Sequence, residues 1–94
     1  MTSKQRAYLR SLATGIQPIF QVGKSDVSDN MVEQISNALE ARELIKINVL
    51  KNSLYTPAEA GEIIAEATGA ELVTVIGNRF VLYRRSEKDP KIEL

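Results

Sequence analysis

The stretch Val22-Gly23-Lys24-Ser25-Asp26-Val27-Ser28-Asp29-Asn30-Met31 is the part of this chain best suited to holding a charged group. A short apolar run, Ile19 to Val22, reads as a strand before it. An amphipathic run, Met31 to Leu39, reads as a helix after it. A strand that feeds a glycine turn and then a helix start offers unpaired N–H groups and the positive end of a helix dipole, which together make a ready anion site. Lys24 sits at the tip, where a cation would meet a phosphate. One glycine followed by lysine is also common in ordinary strand-to-helix turns. On these residues alone both readings stay open.

Most other chemistries drop out by composition. The chain has no Cys and no His, which removes thiol nucleophiles, the usual zinc sites and imidazole acid–base work. Carboxylates could in principle hold magnesium or move protons, but nothing in the spacing of the acids supports it. A binding role without metal, cofactor, small-molecule substrate or catalysis is expected by elimination. The 94 residues, 44% hydrophobic and 26% charged, make one globular domain. No apolar run is long enough for a membrane span, and no apolar segment follows Met1-Thr2-Ser3-Lys4-Gln5-Arg6 as a secretory signal would. Absence of cysteine suits a reducing compartment, and a cytoplasmic protein is expected.

Twelve basic and twelve acidic residues cancel, yet they are segregated. Residues 1–24 carry Lys4, Arg6, Arg10 and Lys24 and no acid. Residues 25–43 are acid-rich around Arg42. Residues 52–71 hold Glu59, Glu62, Glu66 and Glu71 and no base, and residues 72–85 hold Arg79, Arg84 and Arg85 and no acid. Such blocks can build a basic face on a neutral protein.

Periodicity supplies the scaffold around these residues. Ser3 to Ala13 reads as a helix capped by Ser3, with Tyr8, Leu9, Leu12 and Ala13 inward, Arg6 and Arg10 on one exposed stripe, and Gly15 as a left-handed stop. Ile19 to Val22 is a strand. Ser28 to Ala41 is a helix capped by Asp26 or Ser28, with Met31, Ile35, Ala38 and Leu39 inward. Leu44 to Leu50 is a strand with Ile45, Ile47 and Val49 on one face and Lys46 and Asn48 on the other. Thr56-Pro57-Ala58-Glu59 is a capping box with proline at the first helical position. It opens a helix to Thr68 that buries Ala60, Ile63, Ile64 and Ala67, stops at Gly69, and turns Glu59, Glu62 and Glu66 outward. Glu71 to Ile76 and Arg79 to Tyr83 are strands joined by the hairpin signal Gly77-Asn78. The order αβαβαββ predicts an α/β two-layer sandwich, a four-stranded mixed sheet with its helices on one face. The domain is drawn at residues 1–86. Residues 87–94 are expected to form a polar, frayed or loosely docked tail.

Several stretches resemble the CRM (chloroplast RNA splicing and ribosome maturation) domain family, in particular its stand-alone bacterial YhbY-like members. They are Tyr8-Leu9-Arg10-Ser11-Leu12-Ala13, Pro18-Ile19-Phe20-Gln21-Val22-Gly23-Lys24, Ala38-Leu39-Glu40-Ala41-Arg42-Glu43-Leu44-Ile45-Lys46, Val75-Ile76-Gly77 and Val81-Leu82-Tyr83-Arg84. The resemblance implies an RNA-binding domain related in fold to the C-terminal domain of translation initiation factor three. It also implies association with precursors of the large ribosomal subunit during ribosome assembly. The family's loop after the first strand has a G-x-x-G pattern like that of KH domains, where it clamps the nucleic-acid backbone. Gly23 and Lys24 match it, Ser25 precedes the second glycine's position, and Asp26 occupies that position. Asp26→Gly is therefore expected to raise RNA affinity by removing a charge that faces the phosphate.

Gly23, Lys24, Ser25 and Asp26 form the expected contact loop, Lys4, Arg6 and Arg10 extend it, and Lys46 and Arg84 are candidates to join. Arg42 and Glu43 are expected to form an ion pair at the helix–strand corner, and Phe80 and Tyr83 to serve the sheet core more than base stacking. The alternative function is protein–protein docking on a ribosomal protein or assembly factor through the acidic third helix.

Overall fold

Alternation along the strands decides how this chain is layered. The computed structural model describes residues Met1–Leu94. Its elements are α1 (Ser3–Ala13), β1 (Pro18–Val22), α2 (Asp29–Arg42), β2 (Leu44–Val49), α3 (Pro57–Thr68), β3 (Glu71–Ile76) and β4 (Arg79–Tyr83). The strands lie in the order β1-β2-β4-β3. β1 and β2 are parallel, and β4 is antiparallel to both β2 and β3. The αβαβαββ order and the four-stranded mixed sheet are as the sequence predicts.

One face of the sheet is covered throughout and the other in part. Ile45, Ile47 and Val49 of β2, with Phe80 and Leu82 of β4, meet Ile35 and Leu39 of α2 and Ala60 and Ile64 of α3. Leu44, Val73, Val81 and Tyr83 leave the opposite face and meet Leu9 and Ala13 of α1. Helices on one face only is therefore corrected: α1 forms a third layer. The physical reason is visible in Phe80-Val81-Leu82-Tyr83, apolar at both parities as a strand covered on both sides must be. α1 reaches only part of its face. The row Gln21, Asn48 and Arg79, aligned across β1, β2 and β4, stays partly or fully exposed.

Helix ends account for smaller corrections. Thr2, not Ser3, caps α1, in a reciprocal capping box with Gln5. Gly15 is not left-handed, and Thr14 ends the helix in right-handed geometry. Tyr8 and Leu12 face solvent, leaving Leu9 and Ala13 as the buried contacts. Ser28 caps α2 through the Met31 amide. The Thr56–Glu59 capping box and the left-handed Gly69 stop of α3 are as expected. The buried stripe of α3 is Ala60, Gly61, Ile64, Ala65 and Thr68, so Ile63 and Ala67 lie outside it.

The corner between α2 and β2 also differs. Glu43 is fully buried and has φ 67°, and the chain's one ion pair is Lys91–Asp89, so no pair with Arg42 forms. Its carboxylate instead accepts from the backbone amides of Ser86 (2.8 Å), Lys91 (2.6 Å) and Ile92 (2.8 Å). Glu40, one helical turn earlier, accepts from the Ser86 hydroxyl and the Glu87 and Lys88 amides. Ile92 packs against the α1-side core. The C-terminal segment is thus strapped to the domain rather than frayed. Its backbone donors supply what two carboxylates on a helix end require.

The packing around Gly61 leaves little room. A Cβ there would stand 2.8 Å from Leu72 Cδ1 and 3.3 Å from Phe80 Cγ. Alanine would gain about 1 kcal/mol of helix propensity against roughly 1–3 kcal/mol of overpacking. Gly61→Ala should lower stability by about 1 kcal/mol and Gly61→Val by about 3, read as a shifted denaturant midpoint at unchanged slope.

The strapped C-terminal segment should respond to pH. The Ser86 hydroxyl, then the Glu87 and Lys88 amides, hold the Glu40 carboxyl at about 2, below its ordinary 4.5. Burial pushes the Glu43 carboxyl up, but the Ser86, Ile92 and Lys91 amides together outweigh it and leave it below its ordinary value. A folded-state pKa that is depressed contributes stability above the unfolded carboxylate range and loses it as pH falls through the folded value. The amides of Ser86, Glu87, Lys88, Lys91 and Ile92 should lose hydrogen-exchange protection between about pH 4.5 and 2, while the Glu40→Gln variant should lose it at Ser86, Glu87 and Lys88 already at neutral pH. Protection unchanged at pH 2 would remove the carboxylates from the docking of this segment.

Candidate nucleic-acid interface

Parallel pairing brings the C-terminal ends of β1 and β2 together, and the β3–β4 hairpin adds a third segment there. The Leu50 amide donates to the Val22 carbonyl at 2.9 Å, and the Val49 amide to the Asn78 carbonyl at 2.7 Å. The loop from Gly23, the turn at Lys51 and the hairpin at Gly77-Asn78 therefore form one rim. Lys24, Lys51 and Arg79 on that rim are exposed, and none is ion-paired. Lys46 is half-buried one row further down the α1-side face.

Gly23 has neither a left-handed φ nor a tight neighbour: a Cβ there would meet only Leu50 Cδ1, at 3.7 Å. The fold does not demand glycine at this position, so close approach from outside is what the missing side chain permits. The Lys24 and Ser25 amides donate to no backbone carbonyl. Asp26 is exposed, and its carboxylate is engaged by neighbouring donors. Its Oδ1 accepts from the Tyr55 hydroxyl at 2.6 Å and from the Val27 amide at 2.7 Å. The Tyr55 hydroxyl first, and the Val27 amide second, hold the Asp26 carboxyl below its ordinary value, and the same bond raises the Tyr55 phenol. The carboxylate is a tether between the loop after β1 and the loop after β2.

The remaining basic residues divide. Lys4 and Arg10 are exposed on α1, on the same side of the sheet as Lys46. Arg6 is not free: its guanidinium donates to the Leu72 carbonyl at 2.6 Å and the Val73 carbonyl at 2.8 Å. The β3–β4 register is irregular there, so Arg6 closes a bulge on an edge strand. Arg84 is likewise structural. It donates to Ser36 Oγ, the Ser36 carbonyl and the Thr68 carbonyl, joining α2 to the C-terminus of α3 at the sheet end remote from the loop. Phe80 and Tyr83 are buried in the two cores. Lys51, Tyr55 and Arg79 were not singled out from the sequence. The signal for Arg79 was strand pairing: Asn48 opposes it, and both share parity with Lys46.

On this geometry Tyr55→Phe should leave the fold intact and loosen the loop. Fast backbone motion at Lys24 and Ser25, measured by NMR relaxation, should increase in Tyr55→Phe and in Asp26→Gly alike. An unchanged loop in both variants would mean that the tether does not position it.

Residues 1–84 match the CRS1 / YhbY (CRM) domain family. A Bacillus subtilis protein named "Probable RNA-binding protein YqeI" is 48% identical over 94 residues, 100% of this chain and 98% of its own length. A Haemophilus influenzae protein named "RNA-binding protein" is 34% identical over 94 residues, 100% of this chain and 94% of its own. The solution structure of the hypothetical protein SAV1595 from Staphylococcus aureus matches with a TM-score of 0.82 at 51% identity, covering 100% of this chain and 98% of that one. The match runs from α1 through β4, and the chain belongs to the CRS1 / YhbY (CRM) domain family.

Proposed function

We propose that this protein is a non-catalytic RNA-binding protein that associates with precursors of the large ribosomal subunit during assembly. One observation carries the RNA contact: Lys24, Lys51 and Arg79 stand unpaired on one rim beside a glycine the fold does not require, while the nearby Asp26 carboxylate is turned into a tether. Phosphate oxygens are what unpaired cations and free amides in a loop would bind. Lys46, Lys4 and Arg10 extend the positive track along the α1 side. The acidic residues Glu59, Glu62 and Glu66 are exposed on α3, which packs on the opposite face. The relatives named as RNA-binding proteins support the same partner. The ribosomal assignment rests on the family resemblance.

The double variant Lys24→Ala, Arg10→Ala tests the surface. Both side chains are exposed, so stability should change by about 0.5 kcal/mol or less. Removing each phosphate interaction should flatten the log–log salt dependence of RNA affinity by roughly 0.7 for single strands to 0.9 for duplex. Unchanged affinity and slope would remove the surface. Co-sedimentation with large-subunit precursors tests the assembly role. If reversing Glu62 and Glu66 to lysine abolished that co-sedimentation while naked RNA still bound, docking on a protein through α3 would replace direct RNA contact.

A further inference from the structure

The uncovered half of the α1-side sheet face is a second feature, continuous with the loop but chemically different from it. Strand register places Gln21, Asn48, Arg79 and Ile76 in one row across β1, β2, β4 and β3, and Lys46, Val81 and Thr74 in the next. These rows hold two cations, two carboxamides and no carboxylate. Pro18, Ile19, Phe20, Gln21, Asn48 and Arg79 line a shallow open hollow of about 540 Å³ there. That is within the range of roughly 300–1,000 Å³ typical of small-ligand sites, so one nucleobase fits easily. An apolar hollow of equal volume near Leu12, Ile16 and Ile92 lacks this polar floor.

Asn48 supplies the decisive detail. Its Oδ1 is buried and has no hydrogen-bond partner, the only such side-chain atom in the protein. Buried acceptors are nearly always satisfied, and one left open calls for an account. Its row neighbours Gln21 and Arg79 are both exposed and long enough to move aside for a ligand. β1 runs from Gln21 directly into Gly23 and Lys24, so a strand whose phosphate lies on the loop has its adjoining base over this hollow.

Resting on the RNA reading, we propose that Asn48, with Gln21 and Arg79 beside it, forms a base-reading site for single-stranded RNA. It takes a base whose exposed edge sets an N–H donor beside an acceptor. The N–H donates to Asn48 Oδ1, and the neighbouring acceptor receives a hydrogen bond from Nδ2 of the same carboxamide, as when Asn reads adenine. Adenine, cytosine and uracil each offer such an edge, and an abasic ribose phosphate does not. Arg79 stacks its guanidinium plane on the base.

The test uses the full chain with single-stranded oligo(A), oligo(C) and an abasic ribose-phosphate oligomer of equal length at two salt concentrations. Oligo(A) or oligo(C) should bind at least about fivefold more tightly than the abasic oligomer, the lower bound of roughly 1 kcal/mol for one bidentate pair. Asn48→Ala should abolish that preference while keeping the salt slope, and Lys24→Ala should do the reverse. In the unaltered protein, the side-chain amide resonances of Asn48 should shift with the base-carrying oligomers and not with the abasic one. RNA binding with a Lys24-dependent slope but no base preference, or with Asn48 resonances unmoved, overturns this inference and leaves the RNA proposal standing. No binding of any oligomer or ribosomal RNA fragment at low salt overturns both.

Discussion

A carboxylate buried at the α2–β2 corner, that of Glu43, governs how this domain is held together. A charged group fully removed from water must find donors or lose its charge. Here the donors are three amides of the C-terminal segment. The same residue ends α2 with its own amide on the Leu39 carbonyl and begins the sheet with its carbonyl on the Arg84 amide. It does so at φ 67°, a conformation a non-glycine residue holds only when its surroundings insist. One residue thus ties helix, central strands and terminus together. It also sets the parity of β2, because Leu44 must turn to α1 and Ile45 to α2 and α3.

That parity explains how a neutral protein keeps two electrostatic characters. α2 and α3 share one side of the sheet and carry the exposed acids of the middle of the chain. α1 and the open rows carry Lys4, Arg10, Lys46 and Arg79 on the other. The acidic blocks fall largely on α2 and α3, and Lys4 and Arg10 fall on α1, which packs on the other side. The separation matters for a polyanion, which meets a positive side without crossing the negative one.

Not every cation in a basic block is available. Arg6 and Arg84 resemble Arg10 and Arg79 as letters, yet each commits its guanidinium to backbone carbonyls that the fold leaves open. Arg6 serves the bulge in β3, and Arg84 serves the end of α3. A planar fork with several donors suits both tasks better than lysine would. Asp26 shows the converse, a carboxylate that looks repulsive to phosphate in the sequence and acts as a loop tether once Tyr55 reaches it.

The elements, their order and the family were all legible in the order of residues. Capping signals such as Thr56-Pro57-Ala58-Glu59, alternation in Leu44–Leu50 and the hairpin signal Gly77-Asn78 are local, and local hydrogen bonding and periodicity decide them. Lys24 and Gly23 were legible for the same reason, as a loop between two readable elements. Which face α1 covers was not local. It depends on Leu9 and Ala13 meeting Val73, Val81 and Tyr83 from the far end of the chain, a choice that no periodicity within α1 encodes. Assembly of the sheet is likewise what docks the tail, occupies Arg6 and Arg84 with carbonyls, and sets Asn48 beside Arg79. Each of these joins groups far apart in the chain, which meet only once the strands have paired and the helices have packed on them.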